Sequence, residues 1–311
     1  MSLSVLPHLP ADYRLSYSPL FYAQQRYLEA NNDLPARHFY LVDHQMKKGR
    51  GHIAFSREEG RLLSPYKAPF SGFELDDDIN SEDFLFFVIE LERQLKEEGS
   101  WQIDLHQLPD CYGRHNQMVS DNLQILGYRT GTESVRHALV VDEVPLIEKM
   151  AAMEQRKLKK AQKAGLRFEL LPIGDTAKAF DFVKRHREAK GHQLSLQWAE
   201  LKGMVEKNKG YYFGAAVFDR EKMAAAVLLV RATAHVVFYF YPAHDPAYDS
   251  FSPMVLLLQA LYERCHKEKV AYIDLGTSYL NDEVNISLTK FKEHMGGQPF
   301  VSMTFQKDLS L

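Results

Sequence analysis

Six Lys and Arg residues crowd between Arg156 and Arg167, in a 311-residue chain whose formal net charge is −3. Four of them, Arg156, Lys160, Lys163 and Arg167, stand at i, i+4, i+7 and i+11, so a helix would gather them on one face. Such a face either captures phosphate oxygens, of a CoA, a nucleotide or an RNA, or is an ordinary solvated surface. A second anion site is suggested by Ser252-Pro253 before the apolar run Met254 to Leu258. Serine suits the N-cap and proline the first helical position, and the free N–H groups of a helix start attract negative charge. An ordinary helix start reads the same way. Asp274, near the carboxyl end of a strand, suits a general base or an orienter of an amine. Asp104 occupies a matching slot 170 residues earlier, which equally suits an architectural role. Tyr239 and Tyr241 alternate with Phe238 and Phe240, so a regular strand places each pair on one face, as substrate holders or as core. His186, Glu188 and His192 offer another source of a base. The six-residue spacing of the two histidines fits no common helical metal pair, and no metal site is expected.

The elements that must position these residues follow one order twice. Residues 84–105 read as an apolar helix, a break and the strand Trp101 to Leu105. Residues 254–275 repeat this at a constant offset of 170. Ahead of the first copy come a helix over Pro19–Asn31 and strand-like runs at His38–Val42, Gly51–Phe55 and Arg61–Tyr66, with Glu59-Gly60 as a turn. After it come a helix near Asn116–Leu126 stopped by Gly127 and a closing strand at Val135–Val141. The second copy has helices over Asp175–Lys190 and Leu196–Lys207, then strands at Tyr211–Phe218, Met223–Val230 and His235–Tyr241. A helix from Ser252 to Lys267 follows, then the strand Val270–Leu275, a helix near Ile286–Met295 stopped by Gly296-Gly297, and a strand over Phe300–Gln306. Three antiparallel strands, then helix, strand, helix and strand, make an α/β fold, in α+β form, with a mixed sheet in each half. The halves are expected at 1–143 and 144–311, and repetition at this scale means a duplicated domain.

Composition bounds the function. Hydrophobic content of 45% and charged content of 25% are those of a soluble globular chain. An acidic balance argues against a dedicated nucleic-acid binder, whose surface is usually basic. Two cysteines, Cys111 and Cys265, make no disulfide framework and fit a reducing compartment. No signal peptide and no apolar run near the roughly 20 residues of a spanning helix are visible, so a cytoplasmic protein without membrane insertion is expected.

The second half resembles the GNAT superfamily, and more narrowly its FemAB-like branch. The likeness rests on Tyr239 and Tyr241 ending a strand, the loop to Ser252-Pro253, the strand Tyr272-Ile273-Asp274-Leu275-Gly276, and Phe291-Lys292 three residues before Met295-Gly296-Gly297. The basic stretch Arg156-Lys157-Leu158-Lys159-Lys160-Ala161 is similar to the helix with which that branch enters its second domain. This implies two tandem GNAT-like domains, the first degenerate and the second carrying the active site. It also implies acyl transfer onto an amine, from acyl-CoA in ordinary GNAT members or from aminoacyl-tRNA to a peptidoglycan precursor in FemAB-like ones. Two departures bear on the donor. The stretch Pro242 to Pro253 contains no glycine, so the CoA pyrophosphate loop Gln/Arg-x-x-Gly-x-Gly/Ala is missing, and no long helical arm of the tRNA-using members interrupts the second domain. Acyl-CoA is the expected donor, with a small-molecule or peptide amine as acceptor. Aminoacyl-tRNA transfer and a non-catalytic binding protein are the alternatives. On this likeness Asp274, Tyr241 and Tyr239 form the catalytic set, the tyrosines able to protonate a leaving thiolate, and Arg156, Lys160, Lys163, Ser252, Pro253 and Lys292 bind the donor. The resemblance has Lys292 meeting a phosphate of donor or acceptor, while the residues alone allow a plain surface lysine.

Overall fold

The computed structural model describes residues 2–31, 36–65, 67–97, 99, 102–280 and 283–310. Tyr66 and Trp101, assigned to strands from the sequence, lie outside the described residues. The chain packs into two compact units, Met1–Val135 with Phe300–Leu311, and Arg136–Pro299.

In the first unit the strands Leu3–Leu6, Ala36–Asp43, Lys48–Glu58 and Arg61–Ser64 are antiparallel neighbours. Glu59 and Gly60 turn between the last two at φ 43 and 84, the left-handed pair whose twist matches that of the flanking strands. The expected helix over Pro19–Asn31 is instead a 3-10 turn, Phe21–Ala23, and a helix, Gln25–Asn31. The helix Ser81–Glu97 begins with Glu82 and Asp83 in its first turn, where the helix dipole favours acids. Phe84, Phe87, Val88, Leu91 and Leu95 recur at helical spacing and are buried. This helix is the crossover that lets Gln102–His106 lie parallel to Arg61–Ser64, with Leu62 opposite Ile103 and Leu63 opposite Asp104. On its other edge Gln102–His106 pairs antiparallel with the end of the chain, Phe305 opposite Leu105.

The second unit builds the same arrangement. Arg167–Leu171, Tyr212–Asp219, Lys222–Arg231 and Val236–His244 are antiparallel neighbours. The helix Pro253–Lys267 crosses over, and Tyr272–Thr277 lies parallel to Val236–His244, with Val237 opposite Ile273 and Phe238 opposite Asp274. Its other edge pairs with residues 136–140, the end of the strand Arg129–Val140. The expected closing strands thus trade places: the one at 129–140 ends in the second unit, and Gln298–Asp308 ends in the first. Alternation of elements along a sequence does not express this exchange. The core of this unit sits between the sheet and the helices Ala152–Lys163 and Pro253–Lys267, around Leu158, Ala161, Val227, Leu229, Val237, Leu257 and Ile273.

The basic helix runs over Ala152–Lys163 and stops at Gly165, φ 77. Leu158 and Ala161 face the core while Arg156, Lys160 and Lys163 are exposed. Arg167 lies beyond this stop, in the strand Arg167–Leu171, where it donates to the Arg220 carbonyl. The basic face therefore holds three of the four expected cations, because a left-handed glycine ends the helical period before the fourth.

Candidate active site

The two parallel strands of the second unit share a ladder at only three positions, from Val236/Tyr272 to Phe238/Asp274. Beyond them Val236–His244 continues to His244, paired among the described residues only with Lys222–Arg231. The local cause is a β-bulge. Leu229 faces Tyr239 and Leu228 faces Tyr241, so Phe240 is an extra residue. A bulge bends its strand and sharpens its twist.

The same bulge overturns the expected alternation of side chains. Tyr239 joins the core against Pro253–Lys267, its hydroxyl buried without a hydrogen-bond partner among the described residues. Burial raises its phenol far above the usual range. Tyr241 instead meets the other side of the sheet. Its hydroxyl bonds the Ser195 hydroxyl, and the Arg187 guanidinium lies 5.6 Å over its ring. One inserted residue inverts every following side chain, so the two tyrosines do not share a face.

Where the ladder ends, a charged group is buried. Asp274 is fully buried; Oδ2 accepts from Arg136 Nη2 at 2.8 Å and Oδ1 from the Gly276 N–H at 2.7 Å. Lys292, 4% exposed on the helix Ile286–His294, donates to the carbonyls of Gly276 at 2.8 Å and Thr277 at 2.6 Å. Burial pulls its pKa down to about 7; Asp274 opposes this and Arg136 adds to it. His137 lies 3.9 Å from Glu293, and its pKa is lowered by burial and then by Lys292. Its Nδ1 is buried without a partner among the described residues. Gly276, at φ 71, lets the strand turn here, and a Cβ on it would touch the Phe238 ring at 3.4 Å. Asp274 and Lys292 are thus brought together as parts of one buried network, with Asp274 held away from solvent.

Residues 149–283 match the model of the acetyltransferase (GNAT) domain. No curated protein matches the sequence. The crystal structure of FemX superposes with a TM-score of 0.72 at 14% identity, over 94% of this chain and 93% of that one. The structure of L-PGS from Bacillus licheniformis gives 0.58 at 14% identity, over 91% and 87%. The protein has a FemAB-like GNAT fold. The interrupted ladder described above is therefore the feature of this GNAT sheet around which a site can be built.

At the far end of Val236–His244 the chain forms a 3-10 turn, Pro246–Phe251, before the helix. Ser252 is the N-cap, left-handed at φ 52, and Pro253 is the first helical residue. The amide donors are largely engaged: Ser252 N–H serves the carbonyls of Tyr248 and Asp249, Val255 N–H serves Ser252, and Pro253 has none. The cations nearby are side chains, with Lys160 Nζ 5.6 Å over the Phe251 ring. The basic helix and the Ser252 turn are thus adjacent. Their side chains fit a phosphate-bearing donor, while the backbone offers little of a phosphate cradle.

Three groups here escaped sequence reasoning. Arg136 is 138 residues from Asp274, and nothing in its own neighbourhood marks it as a partner. Ser195 and Arg187 gain meaning only from Tyr241. Of the histidine cluster, Glu188 and His192 line a cavity with Lys184, Leu194 and Leu196. The His186 ring packs 4.4 Å from Phe182, and its pKa is lowered chiefly by burial.

Proposed function

We propose that this protein transfers an acyl group from a thioester donor to an amine, with acyl-CoA as donor and a small-molecule or peptide amine as acceptor. The observation that carries the reading is the parallel ladder that stops at Phe238/Asp274 in a GNAT domain, with Lys292 buried at its open end. A pantetheine-like arm would lie along the unpaired edge of residues 239–244, its phosphates toward Arg156, Lys160, Lys163 and the Ser252-Pro253 helix start. In the step itself the amine nitrogen bonds the carbonyl carbon and the carbonyl–sulfur bond breaks. The nitrogen attacks as the neutral amine, an amine bound as ammonium having first given its extra proton to water, and on bond formation it loses a further proton that ends on the leaving thiolate. Lys292, as ammonium, offsets charge developing on the carbonyl oxygen, Arg136 and Asp274 hold that corner rigid, and Tyr241 fixes the wall toward Ser195.

Thiol release from acyl-CoA in the presence of primary amines tests this. Lys292→Met should lower kcat by about 10²-fold or more, as loss of one oxyanion donor does. Saturation binding of CoA near 100 times its Kd should stabilise the fold by about 2.7 kcal/mol. Absence of both thiol release and stabilisation sinks the CoA reading.

Aminoacyl transfer from tRNA is the second reading, favoured by the occupied amides and missing glycines at Ser252 and by the whole-length likeness to FemX. It predicts retention of charged tRNA that falls steeply with salt, with free CoA inert.

A further inference from the structure

Resting on the transfer reading, the geometry points to a free α-amino acid as the acceptor, bound in the cavity at the end of the helix Thr176–Glu188. The cavity measures about 370 Å³, within the range of small-ligand sites. One helix face of the cavity carries both charges, as an ion pair. Lys184 and Glu188 stand one helical turn apart, Nζ and Oε1 separated by 3.9 Å. An ammonium and a carboxylate borne on one carbon therefore meet their opposites side by side, the carboxylate at Lys184 and the ammonium at Glu188. A ligand carrying only one of these charges meets one member of this ion pair and forgoes the second contact. Buried Leu194 and half-buried Leu196 supply an apolar wall for the amino acid's side chain.

The surrounding segment is held in place. Ser195 is tied to the strand by the Tyr241 hydroxyl. Gln197 closes a capping box with Glu200 at the start of Trp198–Lys207. Arg187, next to Glu188 in sequence, is half-buried against the Tyr241 ring and has no ion pair among the described residues. Its charge adds to the attraction for a carboxylate. Both lining charges keep access to water, with Lys184 40% and Glu188 51% exposed, so the site selects more than it grips.

Calorimetric titration of the full chain with L-leucine, L-leucine methyl ester and N-acetyl-L-leucine, without any acyl donor, tests the assignment. Leucine should bind, and each blocked derivative should bind about fivefold more weakly, as expected for loss of one exposed ion pair. Lys184→Met should erase the preference over the methyl ester, and Glu188→Gln the preference over the N-acetyl compound. Equal binding of all three compounds, or no binding of leucine, overturns the proposal. Thiol release with hydroxylamine as acceptor judges the transfer reading separately. Turnover with hydroxylamine but no leucine binding leaves transfer standing and removes the amino acid.

Discussion

The two units place different residues at equivalent points of one design. Each has an aspartate one step after an isoleucine in the parallel ladder, and each closes the following helix with a left-handed glycine. In the first unit Asp104 is 17% exposed and meets an Arg61 that is half in solvent. In the second, Asp274 is fully buried against Arg136. Counting back from the caps, the Tyr128 N–H bonds the Leu123 carbonyl, and the Gly297 N–H bonds the Lys292 carbonyl. Leu123 is a core residue; Lys292, at the same place, is a buried cation. An apolar core stands at one position and a buried charge network at the other, and a buried charge costs stability unless something else retains it.

The sharpest way to break this comparison is to exchange the residues. Leu123→Lys should destabilise the first unit by more than about 4 kcal/mol, an unpaired charge in an apolar core. Lys292→Leu should leave the chemical-denaturation midpoint unchanged or raise it while transfer is lost. A fall in stability as large as that of Leu123→Lys would show the two positions to be alike. Next in size is the aspartate pair. Asp274→Ala strands a buried guanidinium and should cost about 3–5 kcal/mol, whereas Asp104→Ala should cost under about 1 kcal/mol.

The pH dependence of Lys292 is smaller per unit and has a definite sign. Its folded pKa, about 7, lies below the ordinary 10.5. Between these values the unfolded chain binds the extra proton, so stability should rise with pH from 7 toward 10.5, by up to about 1.4 kcal/mol per unit. Denaturation curves of the parent and Lys292→Met should diverge in that window alone. A last contrast separates the glycine caps. Gly127 is at φ 82 with open space around its missing Cβ, so Gly127→Ala should cost only about 1 kcal/mol of backbone strain. A Cβ on Gly296 would meet Lys149 Cβ at 2.8 Å, so Gly296→Ala should add about 1–3 kcal/mol of crowding. Equal losses at the two caps would refute the crowding argument.

Much of this fold is legible along the chain. The helices 81–97 and 253–267 show in their apolar period, the Glu59-Gly60 turn and the Gly127 stop in residue type, and the helix start in Pro253, although the Ser252 side chain makes no capping bond. Each of these signals is local. The candidate site was legible only as a set of single residues. Their mutual geometry was not, because the bulge at Phe240 reverses Tyr241 without leaving a mark in the pattern of aromatic residues. Glu188 and His192 stood out by type, and only the fold put them on a cavity wall with Lys184.

The sequence by itself determined most of the longer helices and strands, and that one order of elements recurs, since propensity, period and caps act over a few residues; it missed the strands Leu3–Leu6 and Arg167–Leu171. Tertiary structure alone decided the exchange of closing strands, the facing of Tyr241, and the burial of Lys292 beside an aspartate and an arginine far from it in sequence. Those outcomes depend on sheet register and on the loss of water around charged groups, quantities that arise only when distant segments pack.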